Sequence, residues 1–177
     1  MNRTFVLSLS GLALLAVVGC GHRQTIVTPG GTVQVDKHIG GAETVKIQGK
    51  DGTMTVDKGS NTMTVTSKDG TVTTGAQVDV EKATGVPAYP GSTQEGSMTN
   101  TAGGGSAMVA LKTTDTVDKV ADFYKKALPQ AEVSNINGGG SSTVMLQATK
   151  DGRKLLVVVA GKESEKLTHV QITSAPK

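Results

Sequence analysis

Between residues 44 and 73 apolar and polar positions alternate with a period of nine. Thr44-Val45-Lys46-Ile47-Gln48 is followed by Gly49-Lys50-Asp51-Gly52. Thr53-Met54-Thr55-Val56-Asp57 is followed by Lys58-Gly59-Ser60-Asn61. Thr62-Met63-Thr64-Val65-Thr66 is followed by Ser67-Lys68-Asp69-Gly70, and Thr71-Val72-Thr73 begins a fourth copy. Each unit is a short strand closed by a turn, and strict alternation within the strand marks one buried and one wet face. A turn of this length sets Gln48 opposite Thr53. Ile47 then faces Met54, Val45 faces Val56, Met54 faces Val65, Val56 faces Met63, and Val65 faces Val72. All the apolar residues fall on one face of an antiparallel meander, with Thr55, Thr62, Thr64 and Thr66 on the other. A slip of one residue would invert this, so the pattern sets the register.

A period of nine is shared with calcium-binding β-rolls, whose Gly-Gly-x-Gly-x-Asp core binds the metal. Here Asp51 and Asp69 stand in lone Asp-Gly turns, and hairpin geometry accounts for them without a metal. A thin meander must lay its apolar face on something: the C-terminal half, another copy, or a partner.

The second half has a different pattern. Residues 106–113 (SAMVALKT) read as a strand. Val117, Val120, Ala121, Tyr124 and Leu128 then recur at helical spacing, after Asp115 as N-cap and before Pro129 as stop. Three more strands are predicted at about 142–149, 153–160 and 167–174. The helix stripe would lie across them. The fold class expected is therefore α+β: an N-terminal antiparallel β-meander with a nine-residue repeat, then a small two-layer domain with one helix on an antiparallel sheet.

The first twenty residues are different again. Arg3 is followed by an apolar stretch from Phe5 to Val18, too short for a ~20-residue membrane span and fitting the h-region of an export signal. It ends in Val17-Val18-Gly19-Cys20, which resembles the lipobox of bacterial lipoproteins. The resemblance implies cleavage after Gly19 and acylation of Cys20, the only cysteine in the chain. It also implies attachment to a membrane through that lipid. With Gly21 rather than Asp next, the family's sorting rule implies the outer membrane facing the periplasm in a two-membrane bacterium. Val86-Pro87-Ala88-Tyr89-Pro90-Gly91 and Phe123-Tyr124-Lys125-Lys126-Ala127-Leu128 resemble the P-x-Y-P-G and F-Y-K-x-x-L motifs of an uncharacterised group of envelope lipoproteins. That likeness brings no activity with it.

The expected organisation is a signal peptide (1–19), a lipidated Cys20 with a flexible tether (20–43), the meander (44–74), a linker (75–91) and the α+β domain (92–177). Composition narrows the function. Apolar residues are 36% and charged residues 19%, with no Trp, two Tyr and two Phe, which excludes a helical bundle and an aromatic-rich enzyme core. A net charge of +3 without a basic, aromatic patch gives no reason to expect nucleic acid. His22, His38 and His169 lack metal-ligand spacing. No serine lies in a Gly-x-Ser-x-Gly elbow. Gly103-Gly104-Gly105 and Gly138-Gly139-Gly140 lead into strands, not helices, and read as hairpin tips rather than phosphate loops. Asp115, Asp118 and Asp122 sit along one helix, and Tyr89 reads as a packing residue between two prolines. No catalytic residue, metal or cofactor is expected. The function expected is a non-enzymatic interaction or accessory module, with an envelope protein partner. The alternative is a small-molecule or lipid carrier with a pocket between helix and sheet.

Overall fold

The computed structural model describes residues 23–37, 43–75, 77–162 and 164–177. It replaces the expected two units by one continuous antiparallel sheet of twelve strands, in the order β1-β2-β3-β4-β5-β6-β7-β8-β12-β11-β10-β9. The strands are β1 (Arg23–Thr28), β2 (Gly31–Lys37), β3 (Glu43–Gly49), β4 (Gly52–Asp57), β5 (Thr62–Ser67), β6 (Gly70–Thr74), β7 (Thr93–Asn100), β8 (Ser106–Thr113), β9 (Glu132–Gly138), β10 (Ser141–Lys150), β11 (Arg153–Lys162) and β12 (Leu167–Pro176). Among the described residues two α-helices interrupt them, α1 (Val80–Thr84) and α2 (Val117–Ala127), with a short 3-10 turn at Ala102–Gly104. The small α+β domain of the sequence reading is thus corrected to one end of a large β-rich sheet.

The join explains the correction. β6 pairs with β7 through Val72 with Asn100, Thr73 with Thr99 and Thr74 with Met98. Gly75 N–H donates to the Ser97 carbonyl at 2.9 Å, and Thr101 N–H to the Thr71 carbonyl at 2.9 Å. The chain leaves the meander after Gly75, makes α1 and an extended stretch, and returns beside the strand it left. An edge strand with unpaired amides is a ready template for the next strand, so the meander propagates into the C-terminal half.

Two further departures have local causes. The sheet begins at Arg23, inside the segment expected to be a tether, because 24–27 and 32–36 pair as a hairpin across Pro29-Gly30. An ion pair of Arg23 with Asp36 closes its open end. Val78 and Val80, which alternate like a strand, instead lead into α1: the Asp79 side chain accepts from the Lys82 N–H and caps a single short helix.

The meander register is as read from the nine-residue repeat, with Ile47 opposite Met54, Val56 opposite Met63 and Val65 opposite Val72. The full ladder extends one apolar row along Ile26, Val33, Ile47, Met54, Val65 and Val72. A second runs along Val35, Val45, Val56, Met63 and Thr74 to Met98 and Met108.

The core lies at the other end of the sheet and on the other face. Val109 and Leu111 on β8, Val144 and Leu146 on β10, Val157 on β11 and Ile172 on β12 are buried there. α2 lies over β10 and β11, and α1 over β8 and β12. Val120, Ala121, Tyr124 and Leu128 bury the predicted helix stripe against them. Each such side chain contributes about 1.5–3 kcal/mol, so this end carries most of the fold's apolar stabilisation. The hairpin from β10 to β11 turns at Asp151 and Gly152 with φ of 52° and 74°. Two successive positive φ values are what a two-residue hairpin turn requires, and Asp-Gly meets that cheaply.

Candidate functional site

α2 starts one residue later than its acidic sequence signal suggests. Thr116, not Asp115, is the N-cap, its side chain accepting from the Lys119 N–H. Asp115 is engaged elsewhere. Its Oδ2 accepts from the Tyr89 hydroxyl at 2.7 Å, and its Oδ1 from Lys119 Nζ at 2.9 Å. The Asp115 carbonyl accepts from the Thr168 hydroxyl at 2.7 Å. One aspartate thus ties the 85–92 stretch, the start of α2 and the start of β12 together. Lys119 first, and Tyr89 second, hold the Asp115 carboxyl below its usual range, and the carboxylate in turn raises the Tyr89 hydroxyl and the Lys119 ammonium.

A depressed carboxylate contributes stability that is present above the unfolded aspartate range and lost as pH falls through the lower folded value. Tyr89→Phe is therefore expected to lower the melting temperature at neutral pH. The gap to the wild type should close as pH drops below the usual aspartate range. Melts at neutral pH and near pH 2 check this; an unchanged gap at the low pH would show that the Asp115 contact is not its source.

Above this knot the structure opens. A cleft of ≈ 760 Å³ lies between the first turn of α2, the turn from β9 to β10 and the turn from β11 to β12. Val117 and Leu167 give it apolar walls, while Asp118, Asn137, Ser142 and Lys162 bring polar groups. Ser142 Oγ lies 2.9 Å from Asn137 Oδ1 across the β9–β10 pair. Gly161 sets the floor: a Cβ there would stand 2.8 Å from Val117 Cγ2 and 3.2 Å from the Leu167 carbonyl. Only a residue without a side chain lets α2 approach β11 this closely. Deeper, the space between α2 and the sheet is filled, with Val120, Tyr124, Leu146 and Val157 at 2% exposure or less. The open space is thus at the end of the helix–sheet layer, not beneath its middle.

The residues singled out from the sequence fall in different places. Gly19, Cys20, His22 and His38 lie outside the described residues. His169 stands on the uncovered face of the sheet, its Nδ1 3.2 Å from Glu95 Oε2, and Lys112 Nζ is 3.2 Å from the other oxygen. Lys112, and then His169, hold Glu95 below its usual range. Asp115 and Asp118 border the cleft, whereas Asp122 pairs with Lys125 at 3.0 Å. Gly138 and Gly140 line the cleft at the β9–β10 turn. Gly104 and Gly105 instead offer carbonyls to the Arg153 guanidinium at 3.4 and 3.0 Å. Among the described residues no group of three or more His, Cys, Asp or Glu could hold a metal, and no helix is long and apolar enough to cross a membrane. Asn137, Ser142, Lys162 and Leu167 were not foreseen as site residues. Their only sequence signal is that Asn137 and Ser142 flank the glycine turn at 138–140 and that Lys162 and Leu167 end and begin the strands on either side of the β11–β12 turn.

With this geometry in hand, comparison with known proteins adds one finding. Residues 92–166 match the family model described as START domain-like. The matched stretch begins just before β7 and runs through β8, α2, β9 and β10 to the end of β11, so it includes most of the cleft. No curated protein and no solved structure gives a significant match.

Proposed function

We propose that this chain is a lipid-anchored cell-envelope protein whose C-terminal end is a binding module for an amphipathic small molecule. The observation that carries the reading is the ≈ 760 Å³ cleft at the start of α2, in the stretch that resembles START domain-like proteins. That volume suits a small organic ligand. Val117 and Leu167 would take its apolar part, and Asn137, Ser142 and Asp118 its hydroxyl or amine groups. Asp118 at the helix start and Lys162 and Lys166 across the cleft give the lining charges of both signs, and Asp115 is paired with Lys119, which suits a polar head with little net charge. The role is binding rather than catalysis, since Asp115, the best-placed acid, is committed to Tyr89, Lys119 and the fold. Acylated Cys20 would hold the module to the membrane, the outer one in a two-membrane bacterium. An envelope protein would be the partner that delivers or receives the ligand.

The test is to purify the full-length protein from its native membranes, extract it with solvent and identify retained small molecules by mass spectrometry. The expected result is one reproducible amphipathic compound, lost from Leu167→Arg while the variant keeps its circular dichroism. A protein that carries nothing above the detergent background, or a compound retained equally by Leu167→Arg, overturns the reading.

A further inference from the structure

The two apolar rows of the meander lie on the face of the sheet opposite α1 and α2. The register settles this, since Thr74 pairs with Met98 and Met98 with Met108, whereas the next residue, Val109, is buried under the helices. Among the described residues nothing covers these rows. Ile26 is 56% exposed, Ile47 43%, Met98 40% and Val65 39%. Scattered exposed apolar residues need no explanation, but two adjacent rows, one across β1 to β6 and one across β2 to β8, do.

We propose that this face packs against the same face of a second copy of the chain, forming a two-sheet sandwich. Three observations select that occupant. The first is area. Eight strands at ~4.8 Å spacing and about five residues at ~3.4 Å give a footprint of roughly 650 Å² per copy. The pair would bury roughly 1,300 Å², within the range of a stable interface. The second is shape. The rows lie on a ladder of antiparallel strands, which twists with a fixed hand, and a twisted sheet is best matched by another sheet laid about 30° across it. The third is charge. On this face the charged residues lie outside the two rows: Lys37, Glu43 and Lys58 cluster at one end of the meander, with Lys58 paired to Glu43 at 3.2 Å, and Glu95 pairs with Lys112 and His169 at 3.2 Å each on β7, β8 and β12. The rows themselves are uncharged, which suits a self-complementary two-fold contact and offers little to an anionic membrane. This inference is independent of the ligand cleft, which opens on the helix side.

The test is native mass spectrometry of the full-length protein, released from detergent over a dilution series. A dimer that dissociates on dilution is expected. Val65→Lys and Ile26→Lys should each weaken it roughly 100-fold or more, because a lysine would be buried without a partner. Thr66→Lys, one residue along on the opposite face, should leave it intact. Ile26 lies on an edge strand and is already mostly exposed, so that variant keeps the test open if Val65→Lys fails to fold. A wild type that stays monomeric throughout overturns the proposal, as does a Thr66→Lys variant that dissociates like the other two. A monomer that binds phosphatidylcholine vesicles, and loses them with Ile26→Lys, would assign the face to a lipid surface instead.

Discussion

Replacing Tyr124 by alanine is expected to lower the free energy of unfolding by about 3–5 kcal/mol, the range for deleting a large buried aromatic. Tyr124 is the largest of the fully buried side chains. Its ring stacks edge-on with Phe123 at 5.1 Å, and Phe123 in turn with Tyr89 at 5.3 Å. Apart from Phe5 these are all the aromatics in the chain, so the substitution removes one of the three rings that pack together here. The Tyr124 hydroxyl makes no well-formed hydrogen bond among the described residues, although the Tyr89 backbone lies close enough to favour its ionised form slightly. Burial pushes its pKa above the ordinary tyrosine range. Tyr124→Phe should therefore change stability by no more than about 1 kcal/mol. Urea unfolding followed by circular dichroism separates the two. Equal losses in both variants would mean that the hydroxyl, not the ring, holds the core.

Cys20→Ser is expected to move the protein from the membrane pellet to the soluble fraction after cell lysis. Each buried acyl CH₂ contributes about 0.8 kcal/mol, and a single myristoyl-sized chain holds only marginally. Losing all acylation should therefore release the protein nearly completely. Retention of Cys20→Ser in the pellet would remove the lipid anchor from the proposed function. The anchor also has a geometric consequence. Arg23 opens β1 only three residues after Cys20, a reach of at most ~10 Å. An acylated Cys20 would therefore place the outer edge of the sheet at the bilayer surface.

What could be read from the sequence follows from where one face is patterned. The strands from Thr44 to Thr73 alternate cleanly, so their register could be derived residue by residue. The α2 stripe was equally plain, since Val120, Ala121 and Tyr124 must face a core. β9 was not legible, because its residues from Glu132 to Gly138 are all exposed and carry no alternation. Nor was the pairing of β6 with β7. It depends on backbone hydrogen bonds between segments separated by α1, and Thr93–Asn100 is mostly polar. That contact turned two expected units into one sheet. The cleft escaped for a similar reason: three turns distant in sequence converge on it, and none carries a recognisable motif. The N-cap was misplaced because Asp115 and Thr116 are both good caps. The Tyr89 contact, invisible in local sequence, takes the aspartate away.

The order of the strands has a mechanical consequence. From β1 to β7 every described strand pairs only with its neighbours in strand order, and the closure between strands distant in that order is β8 against β12. The N-terminal arm is therefore a one-dimensional stack, packed at one end on the helix-covered core and ending at the other in the edge strand β1. Opening can proceed strand by strand from β1 inward while the cleft stays assembled, so amide exchange should slow progressively from β1 toward β8. Tension applied at the N-terminus would unzip the meander one hairpin at a time. The arm would then lengthen as an extensible leash, and the folded end would keep its shape.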